Sequence, residues 1–207
     1  MPISWKDWTP GLNNGHMTLR EVWETLPGAS PDEITWHVRV FENPASPIAF
    51  TGAIELNPHD CIHILLGRGL LNQDEAFVIG YTMGTNKDIP NWKIWAFKKI
   101  AQYFYPKPYK FSRRDAIAFK LGVGRGIDCE VKNIQELPLF SDRYLDRKIS
   151  DIRKELGISV PELRAWYRKE QRLIPDTKAS LRLPVNPDIT TTRLIRPLGE
   201  EVDWYEK

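Results

Sequence analysis

Cysteine is scarce in this chain, with two residues in 207, Cys61 and Cys129. Two cysteines cannot build the disulfide framework of a secreted scaffold, and their number fits a reducing compartment. No apolar run approaches the roughly 18 residues that a membrane-spanning helix needs. The longest, around Ile62–Leu66 and Ala76–Ile79, are of core size. The segment from Met1 to Trp8 lacks the basic-then-apolar pattern of a signal or transit peptide. These features lead to the expectation of a cytoplasmic protein that meets a membrane, if at all, peripherally and on its inner face. Internal repeats and low-complexity stretches are missing too. The net charge of +2 separates no function classes, while 42% apolar residues suffice for one good core.

What is present is helical pattern. Thr18 and Glu21 have the spacing of a capping box opening a short helix that ends near Leu26-Pro27-Gly28. Ser30-Pro31-Asp32-Glu33 opens another, with Ile34, Val38 and Phe41 on one stripe. Residues 48–56 fit a helix or a short strand. Further helices are expected over about Pro58–Leu66, starting after Asn72 and carrying Phe77, Val78, Tyr81 and Met83, over Asn91–Tyr105 and over Arg113–Leu121. Gly122-Val-Gly-Arg-Gly126 follows a helix rather than a strand, lacks the dinucleotide fingerprint, and reads as a turn. Leu145, Ile149, Ile152 and Leu156 form a stripe ended by Gly157 as C′ residue, and Ser159 with Glu162 starts a helix running to about Leu173. The fold class expected is mainly α: a single-domain multi-helix bundle over residues 1–174 with an extended C-terminal arm over 175–207. Pro184, Pro187, Pro197 and the Thr190–Thr192 run mark that arm.

The chemistry concentrates in His59-Asp60-Cys61-Ile62-His63, followed after eleven residues by Glu75, in a chain with only four histidines. On an α-helix His59 and His63 lie about 40° apart, and Asp60 within about 100° of both. Cys61 falls about 200° from His59 and is expected to be a core residue rather than a ligand. Gly67-Arg68-Gly69 and Asn72 supply a turn that can bring Glu75 back to the histidines. Two imidazoles with one or two carboxylates suit Zn²⁺ best, then manganese, iron, cobalt and, less well, magnesium. A capping explanation competes. Asn57-Pro58 resembles an N-cap and N1 proline with Asp60 in the first turn, and Asn72 to Glu75 has the spacing of a capping box with Glu75 at N3.

The same residues, His59, Asp60, His63 and Glu75, resemble the His-Asp-x-x-His, eleven residues, Glu signature of the Coq-four family of ubiquinone (coenzyme Q) biosynthesis proteins. The stretch Leu145-Asp-Arg-Lys-Ile-Ser-Asp-Ile-Arg-Lys-Glu-Leu-Gly-Ile158 is similar to that family's C-terminal helix end, and the resemblance spans roughly residues 18–160. It implies a mostly helical, metal-binding protein that holds a prenylated ring intermediate at a membrane and works with other quinone-biosynthesis enzymes. The activity implied is oxidative decarboxylation at ring carbon one of a polyprenyl-hydroxybenzoate. His59, Asp60, His63 and Glu75 would be both its metal ligands and its catalytic residues. Three other readings stay open. One is a zinc hydrolase of zincin-like motif, with Asp60 in place of the usual glutamate. Another is a His-Asp phosphohydrolase drawing on His37 and on Asp128 or Asp142. The third is a non-catalytic lipid-binding scaffold with a structural metal.

Residues 93–125 carry +8 while the rest of the chain nets −6. Aromatics interleave with these cations. On the helix expected there, Ile94, Phe97, Ile100, Ala101 and Phe104 share an apolar arc, and Trp92, Trp95, Lys99 and Tyr103 lie opposite. Such a face suits lipid head groups and is the candidate lipid and membrane contact. A solvated helix face explains the same pattern. Nucleic acid is the least favoured partner, because no nucleic-acid module pattern accompanies the cations. An exposed aromatic face also favours a homodimer.

Overall fold

The computed structural model describes residues 3–27, 56–104 and 110–186. Among these it is mainly helical, with nine α-helices, one short 3₁₀ turn and no strand. The helices are α1 (Leu19–Trp23), α2 (Leu56–Leu66), α3 (Asn72–Thr85), α4 (Asn91–Tyr103), α5 (Arg113–Ile127), α6 (Asp142–Leu145), α7 (Ile149–Glu155), α8 (Val160–Leu173) and α9 (Lys178–Leu181). The helix expected from Ser30, the segment 48–55 and His37 lie outside the described residues.

Local signals explain most of the boundaries. Thr18 caps α1 as expected: its Oγ1 accepts from Glu21 N at 3.2 Å, and Glu21 Oε2 accepts from Thr18 N at 2.8 Å. Ser159 Oγ accepts from Glu162 N at the head of α8. Gly157 closes α7 at φ +64, with Ile158 N donating to Arg153 O and Gly157 N to Lys154 O, the paired bonds of a Schellman end.

The centre of the bundle is α3. Eleven of its fourteen residues are buried, so it is covered on every side rather than along one stripe. Its tightest neighbour is α5, and glycine makes that approach possible. A Cβ at Gly80 or Gly84 would run into the carbonyl oxygens of Phe119 and Val123. A Cβ at Gly122 or Gly126 would run into those of Phe77 and Tyr81. Both pairs are four residues apart, so each lies on one helix face. This corrects the expected turn at Gly122–Gly126: the segment lies inside α5, which continues to Ile127. The glycines there serve close packing of backbones, not a change of direction.

The other helices wrap this pair. Phe97 of α4 stacks on Phe119 of α5 at 5.5 Å, and Phe77 of α3 meets Tyr167 of α8 edge-on at 5.3 Å. Beyond residue 174 the chain stays packed through α9. Ala179, Ser180 and Leu183 are buried, so the first part of the expected arm belongs to the folded body, and residues 187–207 lie outside the described residues.

The glycine contact yields a prediction of sign. Helix propensity alone makes Gly→Ala stabilising by about 1 kcal/mol in a helix interior. Gly122→Ala and Gly80→Ala should instead destabilise by about 1–3 kcal/mol, the usual cost of overpacking. Urea unfolding followed by circular dichroism gives the sign directly.

Candidate metal centre

α2 and α3 are joined by a tight turn through Gly67, whose φ of +69 favours glycine. An added Cβ there would also strike the Gly11 backbone. Arg68 N donates to His63 O at 2.9 Å and Gly67 N to Ile64 O at 3.1 Å, so α2 ends in a Schellman motif. The turn sends α3 back beside α2. Its register is one residue away from the sequence expectation: Leu71 is the N-cap, and Asp74 rather than Glu75 is at N3. Asp74 Oδ2 accepts from Leu71 N at 3.2 Å. Glu75, one position further on, is released from capping and faces the histidines.

There the three groups converge. His59 Nε2 lies 3.1 Å from Glu75 Oε2, His63 Nε2 lies 3.3 Å from Glu75 Oε1, and the two Nε2 atoms are 3.1 Å apart. Donors around a tetrahedral zinc, each about 2.0–2.1 Å from the ion, are roughly 3.3 Å from one another. The three side chains therefore fit the ligand set of a divalent metal with little movement. Orientation supports the fit. His63 Nδ1 donates to Gly69 O at 2.8 Å, and because a carbonyl only accepts, the free lone pair of a neutral His63 is on Nε2, facing the other two groups.

Electrostatics reinforce the convergence. Burial by itself would lower the His63 pKa, but the Glu75 carboxylate more than offsets it and the pKa is raised. Burial would likewise raise Glu75, yet the charge and hydrogen bonds of His63 and His59 hold it well below the usual carboxylate range. Burial pushes Asp60 up to about 6 against the pull of His59 and His63.

Of the four residues expected as ligands and catalytic groups, the structure gathers His59, His63 and Glu75, with their ligand atoms all within 4.8 Å of one another. Asp60 is not part of that group. It is close enough to act on its charges but remains a neighbour. Cys61 is buried as expected, its Sγ turned to Leu139 O and its pKa pushed up to about 12 by burial. Asp128 is the C-cap of α5 and Asp142 pairs with Arg20, so neither joins the histidines. Trp92, Trp95 and Tyr103 are each about 60% exposed along α4, with Lys99 over the Trp95 and Tyr103 rings. Phe104, expected on the buried arc, is exposed as the C-cap residue. No protein-family model, curated protein or solved structure matches the chain.

The residues missed from sequence hold the site from outside. Arg68 is buried, with Nη1 and Nη2 donating to the two Glu170 oxygens at 3.0 and 2.9 Å and its plane against Phe77 and Tyr167. Asp74 receives Arg182 Nη2 at 2.7 Å. Gln73 Nε2 donates to Glu170 and to Ser180 Oγ. Arg68 is alone among its neighbours in falling inside a predicted turn, where a buried guanidinium has no local signature.

The metal-free protein should show a defined pH dependence. The Glu75 contribution to stability is present above the ordinary carboxylate value of 4.5 and is lost as pH falls through the lowered folded value. The His63 contribution is full below 6.5 and is lost as pH rises through the raised folded value. Glu75→Gln should therefore lower the melting temperature of chelator-treated protein most between about pH 5 and 6.5, and less at pH 9. Thermal melts of both proteins across that range test the pairing, and an equal loss at every pH contradicts it.

Proposed function

We propose that this protein holds a divalent metal, zinc foremost, on His59, His63 and Glu75 and uses it on an oxygen-bearing substrate. The observation that carries the reading is the convergence of the three ligand atoms at 3.1–3.3 Å in a buried setting. The Coq-four resemblance extends it. The substrate would then be a prenylated ring acid, the reaction oxidative decarboxylation at ring carbon one of a polyprenyl-hydroxybenzoate, and the partners other quinone-biosynthesis enzymes at a membrane surface.

When bound, the metal would act as a Lewis acid on a carboxylate or phenolate oxygen. Three protein ligands leave a fourth position for that oxygen. His63, fixed by Gly69 O, presents Nε2, and Glu75 balances the charge. Asp60, a neighbour whose charge acts on His59 and His63, would be the group to carry a proton beside the site. Support for the membrane part is the exposed Trp92, Trp95 and Tyr103 face. It adjoins Lys93, Lys98, Lys99 and Lys120, which have no carboxylate partner among the described residues. Lys98 is lowered by burial and by the like charges of Lys120 and Lys99, which places three cations near one another on this surface. The complete burial of His63 favours one second reading, a structural metal in a lipid-binding scaffold.

Metal content measured by mass spectrometry is the deciding experiment. Purified wild type should carry about one zinc or similar ion per chain, and His63→Ala should carry none. Wild type that takes up no Zn²⁺, Mn²⁺ or Fe²⁺ on incubation contradicts the proposal. If the metal is structural, its removal should lower the melting temperature by several degrees and no prenylated ring acid should turn over.

For the surface, sedimentation with anionic phospholipid vesicles should retain wild type. A Trp92→Ala, Trp95→Ala double variant should lose most of that binding. Equal behaviour of the two proteins would remove α4 as the contact.

A further inference from the structure

The last turn of α2 carries His63, and every backbone acceptor in that turn is taken. A helix normally leaves its final four carbonyl groups without intrahelical donors. Here His63 O accepts from Arg68 N, and Ile64 O accepts from both Gly67 N and Arg153 Nη2. Leu65 O accepts from Arg153 Nε at 2.8 Å, and Leu66 O accepts from the Tyr167 hydroxyl at 2.5 Å. Arg153 Nη1 reaches on to Leu12 O at 3.2 Å.

Arg153 is an unusual choice for a cap. It is buried, and no carboxylate pairs with it among the described residues. Burying a guanidinium without a counter-ion is costly. Here the negative end of the α2 dipole, through the carbonyl oxygens of Ile64 and Leu65, takes the place of the anion, and Leu12 O adds a third acceptor. Tyr167 is equally buried and spends its only hydroxyl on the same helix end. Two side chains, from α7 and from α8, thus clamp one turn of α2 from nearly 90 and just over 100 residues away. A water-filled C-terminus would satisfy the carbonyls at less cost. What it would not supply is a fixed position, and helix ends fray. Metal–ligand distances tolerate only about 0.2 Å.

Resting on the metal reading above, we propose that Arg153 and Tyr167 are positioning residues of the metal centre. They fix the last turn of α2, and through it the His63 imidazole, at the spacing from Glu75 that a tetrahedral ion requires. Neither touches the ligands. Both act through the backbone of residues 64–66.

The test uses the full chain. Zinc affinity is measured by chelator competition, and the visible spectrum of the Co²⁺-loaded protein reports coordination geometry. Both are read at a temperature where circular dichroism shows every variant folded. Tyr167→Phe removes one hydroxyl without changing shape, and Arg153→Lys keeps the charge but loses the forked geometry. Leu163→Ala, a core truncation on α8, is the control for stability alone. The expected result is a zinc affinity about 10–100-fold weaker in Tyr167→Phe and Arg153→Lys, with altered cobalt bands, and an unchanged affinity in Leu163→Ala. Wild-type affinity and spectrum in Tyr167→Phe would overturn the proposal, and so would an equal loss in Leu163→Ala. Wild type that binds neither Zn²⁺ nor Co²⁺ would overturn the metal reading itself, an outcome seen in a different sample. Should Arg153→Lys fail to fold, Tyr167→Phe decides alone.

Discussion

Backbone-to-backbone contact between α3 and α5, through Gly80, Gly84, Gly122 and Gly126, is the constraint on which the rest of the molecule hangs. Glycine in a helix interior costs roughly 0.5–1 kcal/mol relative to alanine, so four of them in one contact are retained for what a side chain would prevent. With the two helix axes drawn together, α3 is covered on one whole flank. The remaining helices close over it, and its N-terminal turn is left facing α2. That turn carries Gln73, Asp74 and Glu75, three polar side chains that are all buried and must find partners inside the protein.

How those partners are divided gives the site its character. Asp74 and Glu170 each have arginine, from Arg182 and Arg68, which does not release its proton. Glu75 has two imidazoles, whose ring nitrogens can hold either a proton or a metal ion. Ion pairs as buried as Arg68–Glu170 are weak contributors to net stability, because desolvation offsets the attraction. Removing one partner, however, strands the other charge, so the network specifies how the turn sits between α3, α8 and α9. The outcome is one carboxylate with exchangeable partners surrounded by others with permanent ones. Glu75 and the histidines are thus the group that could hold a metal ion, while the arginines are committed to Asp74 and Glu170.

Features governed by three- and four-residue spacing are legible in the amino-acid sequence alone. The Thr18–Glu21 and Ser159–Glu162 caps, Gly157 as a C′ residue, the His59–His63 pair and the exposed Trp92–Trp95–Tyr103 face all follow from helix geometry, and each is found where expected. The distance of Glu75 from a turn puts it in the site, correctly in position but with a capping role that Asp74 performs instead. Gly122–Gly126 reads as a turn because glycine-rich sequence ordinarily breaks helices. The matching four-residue spacing of Gly80 and Gly84 is the signal that both segments are helical faces in contact. Arg153 carries a fainter signal: it follows Ile149 by four residues and so shares the buried stripe of α7, a place where an arginine has to be satisfied by backbone.

The amino-acid sequence by itself determined the helical class, most helix ends, the helix face that carries His59 and His63, and the surface where positive charge gathers. These are local properties, set by neighbours within a turn or two. Tertiary structure decided which of the nearby carboxylates meets the imidazoles, why Asp60 stands beside them rather than among them, and which distant side chains hold the turn. Those outcomes depend on how closely α3 can approach α5 and on where Arg68, Arg153 and Tyr167 find acceptors. Partners separated by 88 to 102 residues leave no periodicity in a sequence, because only the folded chain brings their donors and acceptors within 3 Å.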